Sequence, residues 1–518
     1  MSTYKVRTIK TTSGAAAVQV VEYFNNKRNV VFHLGSASNQ EDLERLKDAA
    51  LKWIDKNDPQ GSLFPLSKRQ DAGSVAVFDK CEYLGFKYQL LYDILWNLAV
   101  KFKFHLLADS KILNDLVIAR LVHPCSKAET FEFISDFFGI NHSRRDFYRT
   151  LSNLLPLKDE VERKAIYVAK KYFDFSFNIV FYDLTTLYFE SFETDELRRI
   201  GFSKDNKASN PQIMIGLLVN NSGFPVSYQV FPGNKFEGNT IEPAIVSLKK
   251  KYKIKQLTIV ADSAMISEKN ITLLKNNNLD YIVGARMANL QLPTIQRISQ
   301  DLKQEDNKTV RITIEGKDDL VCHFSQKRYN KDKRELEKQI ERAEEILKTP
   351  SKAEIIKRAK FLIRSGSKND QNKEERKFEL NQKLVVKAKL LLGIKGYFTS
   401  HKTTSSNKNN SKNNNIEIVN KYKQLWNVER SFKISKSDLK ARPIFHNKEQ
   451  AIKTHILICF MALAIAKYIE IKTHKSIKSV IKELKRVTDA RIYDKINKRE
   501  FVMRSKMNDE VKKILEMI

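Results

Sequence analysis

The sequence predicts an α/β chain. A mixed five-stranded sheet is interrupted by an insertion domain, with a mainly helical N-terminal region before it and a helical C-terminal tail after it. Three observations lead there. From 177 to 284 the apolar runs follow the order three strands, helix, strand, helix, strand. From 286 to 400 a densely charged stretch of another character breaks that order. A strongly apolar helical pattern, Glu449–Ile469, then returns, as core elements do on the far side of an insertion.

The 518 residues hold 92 Lys+Arg against 61 Asp+Glu, a formal net charge of +31. A chain this long has room for about two to four domains. The excess is spread along the chain and asks for a polyanionic partner, nucleic acid before an anionic membrane surface, against the alternative of a generally basic proteome. Cys81, Cys125, Cys322 and Cys459 lie far apart without CxxC spacing or a paired histidine. That argues against structural zinc and disulfides and fits a reducing cytoplasm. The longest apolar run, Ile456–Ala466, is too short to span a bilayer, and the N-terminus has no apolar signal-like core.

Residues 1–60 read as a small β-meander plus a helix: Tyr4–Ile9, Ala16–Tyr23 and Val30–Leu34, turning at Ser13-Gly14 and Asn25-Asn26, then Glu41–Ile54. A Pro/Gly stretch around Pro59-Gln60-Gly61 separates them from residues 61–175, mainly helical, with runs Leu90–Phe104, Lys111–Val122, Ala128–Phe138, Arg144–Leu154 and Val161–Tyr172. Arg144, Arg145, Tyr148 and Arg149 cluster there, which suits either a DNA-end-binding module or a packing domain with a solvated basic face.

Residues 176–285 carry the first part of the core. Phe177–Tyr182 is an apolar strand with Asp183 near its end, Gln212–Val219 and Pro225–Phe231 form a hairpin about Asn220–Gly223, and Thr240–Tyr252 is a helix. Leu257–Ala261 is a buried strand ending in Asp262, Ser267 caps a helix, and Tyr281–Gly284 is the fifth strand. This is the ribonuclease H-like order, in which the first and fourth strands are neighbours, so Asp183 and Asp262 are expected side by side. Residues 286–400 form the insertion, with strands Thr309–Ile314 and Leu320–Phe324, helices Arg334–Leu347 and Ala353–Arg364, and a returning strand, Gly396–Thr399. Residues 401–416 are a low-complexity loop. Residues 417–472 complete the core, and 473–518 are a basic helical tail.

Over 422–436 one helix is expected. Leu425, Val428 and Phe432, extended by Leu439, make an apolar stripe, while Tyr422, Glu429, Lys433 and Lys436 share a neighbouring face. Alone, such charges read as an exposed ion-pair ladder. Asp183 alone reads as a strand-end turn former and Asp262 as the start of a turn. Glu190, Glu193 and Asp195 are possible substitute ligands on a loop-like segment. The combination carries the argument: two aspartates on neighbouring strands, and a glutamate on a helix after an insertion. Three carboxylates suit hard divalent ions, and two such ions about 4 Å apart serve phosphodiester cleavage and transfer.

Tyr422, Glu429 and Lys436 also match, at the same spacing, the Tyr-Arg-Glu-Lys signature of bacterial insertion-sequence transposases of the DDE class, with Leu425 in the arginine's place. In order along the chain, the segments 121–127, 181–190, 231–234, 260–265, 281–286 and 455–463 resemble those of one subgroup: Leu-Val-His-Pro-Cys-Ser-Lys, Phe-Tyr-Asp-Leu-Thr-Thr-Leu-Tyr-Phe-Glu, Phe-Pro-Gly-Asn, Val-Ala-Asp-Ser-Ala-Met, Tyr-Ile-Val-Gly-Ala-Arg and His-Ile-Leu-Ile-Cys-Phe-Met-Ala-Leu. The resemblance implies Asp183, Asp262 and Glu429 as catalytic metal ligands for two Mg²⁺ or Mn²⁺ ions. It implies DNA as partner (terminal inverted repeats and target), a homodimer on paired ends, no membrane, and a nucleoid-associated place in a bacterial cytoplasm. Tyr422 would meet the terminal phosphate, and Lys433 and Lys436 would hold phosphates near the cut. Trp426 is placed either against a base or beneath the helix, and its apolar neighbours favour the second. The rival readings are a ribonuclease H-like nuclease without strand transfer and an inactive DNA-binding relative.

Overall fold

The computed structural model describes residues 3–11, 15–24, 27–37, 39–57, 80–203, 207, 209–265, 267–348, 360–365, 377–402, 408–495 and 498–518. The turns at Ser13-Gly14 and Asn25-Asn26 and the Pro59-Gln60-Gly61 stretch lie outside them. The chain divides into two units, residues 1–85 with 491–502, and residues 86–490 with 503–518.

In the first unit β1 (Thr3–Lys10), β2 (Ala16–Phe24) and β3 (Lys27–Ala37) form an antiparallel meander covered by α1 (Gln40–Asn57). Period-2 alternation puts Val18 and Val20 on the covered face, where they meet Ala50 and Ile54. Trp53 stacks on Phe32 with ring centroids 5.3 Å apart. Most of β4 (Cys81–Lys87) belongs to this unit too.

The second unit opens with five helices, α2 (Gln89–Lys101), α3 (Ser110–Val122), α4 (Lys127–Phe133), α5 (Arg144–Asn153) and α6 (Lys158–Phe173). Ser126 and Ser143 cap α4 and α5 by accepting from the Glu129 and Asp146 amides, so each helix starts where a hydroxyl can satisfy its free N–H. The sheet follows: β5 (Ile179–Tyr188), β6 (Gln212–Val219), β7 (Pro225–Pro232), α7 (Ile241–Tyr252), β8 (Thr258–Ala261), α8 (Glu268–Asn276) and β9 (Asp280–Gly284). Next come α9 (Leu292–Leu302), β10 (Thr309–Ile312), β11 (Asp319–Phe324), α10 (Gln326–Lys348), β12 (Leu362–Ser365), β13 (Lys377–Leu380), α11 (Gln382–Leu390) and β14 (Ile394–Thr399). The chain ends with α12 (Lys408–Lys423), α13 (Trp426–Lys433), α14 (Glu449–Thr473), α15 (Ile477–Leu484), β15 (Asp489–Asp494), β16 (Arg499–Arg504) and α16 (Asp509–Met517).

The main sheet has eight strands in the order β10-β11-β14-β9-β8-β5-β6-β7, not the five expected. Only β8 runs parallel to its neighbours, β5 and β9. The extra three come from the segment read as a separate insertion. Strand β9, buried along most of its length, would otherwise leave an open row of backbone donors and acceptors, which β14 pairs antiparallel from Tyr397 opposite Gly284. The remainder of that segment has a small core of its own, Leu336, Ala343, Phe361 and Val385. A strand occupies 362–365 where a helix to Arg364 is expected, and residues 353–359 lie outside the described ones.

Two further expectations fail between 401 and 438. The low-complexity stretch is helical from Lys408, in α12; residues 403–407 lie outside the described set. Composition suggests a loop, but Ile418, Val419 and Tyr422 recur at helical spacing and are buried where α12 packs on the sheet. The single helix over 422–436 is two, parted at Gln424-Leu425, and its last turn, Ile434–Asp438, is π-helical. The tail is not helical throughout, since β15 and β16 lie within it.

Helix α14 packs against β7, α3, α5 and α6. It is long and apolar enough to cross a membrane, but 94% of its most apolar window is buried inside the fold.

Candidate active site

The two aspartates come from the central strands. In the parallel β5–β8 register Phe181 faces Val260 and Tyr182 faces Ala261, so Asp183 and Asp262 are the next residues of neighbouring strands. Asp183 is mid-strand rather than near the strand's end, because β5 continues to Tyr188 beyond the last residue of β8. It is half-buried, while Asp262 is exposed where β8 gives way to a short turn. Tyr182 points to the opposite face, its hydroxyl donating to the Thr240 carbonyl at 3.4 Å.

Glu429 arrives on α13. Leu425, Val428, Phe432 and Leu439 are buried as the stripe requires, leaving Glu429 exposed on the adjoining face. Two contacts fix the helix to the β6–β7 turn: the buried Ser431 hydroxyl donates to the Gly223 carbonyl at 2.7 Å, and Asn427 donates its amide to the Asn221 carbonyl at 2.8 Å. The turn that the sequence marks only as a hairpin is therefore the anchor of the glutamate's helix.

Tyr422, at the end of α12, donates its hydroxyl to Asp262 Oδ1 at 3.2 Å, and the Ser263 amide donates to the same oxygen at 2.6 Å. Two donors thus orient one carboxylate. A Cβ on Gly284 would lie 2.5 Å from the Tyr422 hydroxyl, so the end of β9 must lack a side chain for the tyrosine to reach. Burial first, then the Asp262 charge, push the Tyr422 phenol above its usual range. Its ring lies 4.4 Å from that of Tyr397 and under the Lys395 ammonium at 5.6 Å.

These residues line a cleft of about 350 Å³ with Asp183, Asp262, Glu429, Tyr422, Leu425 and Trp426 on its walls. Trp426 is 52% exposed, not packed beneath the helix as its apolar neighbours suggested. The break at Gln424-Leu425 begins a new helix at Trp426 and turns the indole outward, with the Arg430 guanidinium 5.9 Å from its ring.

The cleft also holds residues the sequence reading missed: His323, Ser325, Arg328, Lys395, Tyr397 and Lys423. Arg328 is steadied by Asp332, which accepts from its Nε at 3.1 Å. Burial, then the Arg328 charge, lower the Lys395 pKa, with Asp262 and Glu429 opposing. Burial, with Lys423, Lys395 and Arg328, holds His323 down to about 4. The one available signal is a lysine inside the apolar strand Ile394-Lys395-Gly396-Tyr397-Phe398.

The remaining predicted contacts do not line the cleft. Lys433 is exposed, and Lys436 lines a separate apolar cavity beside Phe432, Ser435 and Cys459. Arg144, Arg145 and Arg149 are exposed on α5, with Arg149 paired to Asp146 at 2.8 Å. Glu190, Glu193 and Asp195 do not line the cleft either, and the last two pair with Arg198 at 3.7 and 2.7 Å.

The cleft carboxylates supply the oxygen donors that Mg²⁺ or Mn²⁺ prefers. Among the described residues the close-set group of possible ligands, all within 4.8 Å, is instead His123, Cys125 and Glu129. Cys125 does have a histidine nearby, against the sequence reading, but His123 and Glu129 already satisfy each other at 3.0 Å on the surface.

A mixed sheet presenting two adjacent aspartates, joined by a helix-borne glutamate in a cation-lined cleft, is built for metal-dependent nucleotidyl transfer. Residues 176–465, more than half of the chain, match the family described as transposase DDE domain, and the chain belongs to that family. No curated protein matches it. Among solved structures it is similar to the piggyBac transposase synaptic complex with hairpin DNA, at 12% identity over 71% of this chain and 68% of that one, with a TM-score of 0.37. It is also similar to the Mos1 transposase paired-end complex with left transposon end, at 14% identity over 46% and 74%, with a TM-score of 0.16.

Proposed function

We propose that this chain is an insertion-sequence DNA transposase that binds the terminal inverted repeats of its own element, cleaves the ends and joins the 3′-OH to target DNA. The observation that carries the reading is the meeting of Asp183, Asp262 and Glu429, from two strands and a helix far apart in sequence, on the walls of one cleft. The strand order β9-β8-β5-β6-β7 within the larger sheet supports a ribonuclease H-like core.

Asp183, Asp262 and Glu429 would hold two Mg²⁺ or Mn²⁺ ions, which when bound activate the attacking oxygen and carry charge on the leaving one. The chain's own groups do the rest. Tyr422 and the Ser263 amide aim Asp262. Arg328, Lys395 and Lys423 put three cations on the cleft wall, charges that meet the DNA backbone once the carboxylates are engaged by metal. The exposed indole of Trp426 offers a face for a base. Lys433, Lys436 and the α5 arginines are proposed contacts for DNA further from the cut, and a homodimer would pair the two ends.

The test is strand transfer of a labelled, pre-cleaved duplex carrying the DNA that flanks the chain's own reading frame, with Mg²⁺ or Mn²⁺. Joined product in wild type, and none in Asp183→Ala, Asp262→Ala or Glu429→Ala with binding intact, is expected. Cleavage without joining favours the nuclease, and binding without either favours an inactive relative. An active Glu429→Ala would remove the third ligand.

A further inference from the structure

Three stretches remote from one another in the sequence, two of them among those that carry the resemblance, converge away from the carboxylates. Arg120 lies in the last turn of α3 and Lys127 starts α4; His446 follows Ile444-Phe445; His455 and Cys459 lie on α14. Arg120 is 5% exposed, Lys127 9% and His455 5%. The His446 and His455 rings are 5.6 Å apart, and His455 Nε2 meets the Ala441 carbonyl at 3.1 Å. His455 Nδ1 is buried without a partner.

Neither Arg120 nor Lys127 makes a hydrogen bond or ion pair among the described residues. The charge acting on Lys127 is that of Arg120, beside two thiols, that on His446 comes from Lys127 and Arg120, and that on His455 from Arg120 and Lys127 with His446 beside it, with no carboxylate among them. Burial and the Arg120 charge bring Lys127 down to about 7. Two cations on largely buried side chains without a counter-charge are costly, and proteins resolve the cost by pairing, neutralising or binding an ion. A guanidinium cannot neutralise itself by losing a proton.

We infer that Arg120 and Lys127, with His446 and His455 beside them, form an oxyanion site that takes one phosphate group, either free phosphate or a backbone phosphate of DNA. A guanidinium fork and an ammonium are the donors phosphate oxygens prefer, and neither has another acceptor to give up. An occupant there would also tie the Ala441–His446 segment, which follows the Glu429-bearing helix, to α3, α4 and α14. The inference does not depend on the carboxylate reading.

The test uses the full-length chain in phosphate- and sulfate-free buffer. Tm is followed while inorganic phosphate replaces chloride at constant ionic strength, in wild type, Lys127→Met and Arg120→Met. In wild type Tm should climb with the logarithm of phosphate, by mass action on the folded state. It should stay flat in both variants. Without phosphate, Lys127→Met should be more stable than wild type, the reverse of what a merely structural lysine gives. A second arm measures duplex binding against salt. A log–log slope shallower by about 0.9 in Lys127→Met makes DNA the source of the phosphate, and an unchanged slope with a phosphate-dependent Tm makes it free phosphate. A flat wild-type Tm together with an unchanged slope would overturn the inference.

Discussion

At the scale of single residues, Tyr422 ties the helix that precedes Glu429 to the aspartate at the end of β8. Tyr422→Phe keeps the ring against Tyr397 and removes one hydrogen bond to a charged oxygen, worth about 1.5–3 kcal/mol. Single-turnover end cleavage should fall by at least about tenfold while Tm moves by a few degrees at most; an unchanged rate would make the hydroxyl incidental. Lys395→Met should weaken end binding and flatten its salt dependence, since it removes a cation that the metal-loaded cleft would turn toward DNA. Lys127 gives a pH signature. Its folded pKa of about 7 lies below the ordinary 10.5, so between those values the unfolded chain holds a proton that the folded chain does not, and stability rises with pH. Below pH 7 both states are protonated and the full penalty is felt. Over this range burial keeps His446 and His455 neutral and raises the Cys125 and Cys459 thiols above their ordinary range, and Arg120 keeps its charge. The Tm advantage of Lys127→Met in phosphate-free buffer should therefore shrink from pH 7 toward 10. That Asp183 and Asp262 lie on neighbouring strands was legible in the strand pattern, while Glu429 and Tyr422 were singled out by the signature they resemble, since helix spacing alone read as an exposed ion-pair ladder. Arg328 was not legible, because nothing local in a charged segment says which of its many cations turns toward the cleft, whereas Lys395 left one mark, a lysine inside an apolar strand.

At the scale of elements, the β6–β7 turn holds α13 through Ser431 and Asn427. Ser431→Ala leaves the Gly223 carbonyl without that donor, at a cost of about 1–3 kcal/mol. Tm should drop, and cleavage should drop further than Tm alone explains, because Glu429 rides on the same helix; a rate that tracks folded fraction alone would show that the anchor serves stability only. Helix α12 shows where composition misleads. Runs of Asn, Ser and Lys suggest a solvated loop, but a few apolar residues at the right spacing, Ile418, Val419 and Tyr422, dock the stretch on the sheet. The eight-stranded sheet hid for a related reason. Short strands at 309–312, 319–324 and 394–399 could be read as strands, but the last of them joins the main sheet through β9, more than a hundred residues earlier, and pairing partners leave no local mark.

At the scale of the whole molecule, the +31 charge is the dominant long-range feature. Binding to an element-end duplex should fall steeply with salt, roughly linearly on a log–log plot, as neutralised phosphates release their counterions; binding indifferent to salt between 50 and 200 mM would contradict a phosphate-led interface. The charge was fully legible in the sequence and the central, enclosed position of α14 partly so, since an apolar run announces burial without saying among which neighbours.

The placement of β14 carries a consequence for how the chain is made. Strand β9 ends at Gly284, and the strand that covers its outer edge begins at Ile394, so on the ribosome that edge waits on the order of ten seconds for its partner. The glutamate comes later still. A nascent chain holds both aspartates early, in a half-built sheet with an open side, and gains Glu429 only after β14 and α12 have been made. If Glu429 is the third ligand as proposed, a product that stops before it would carry the basic surface and both aspartates without the group that completes the cleft.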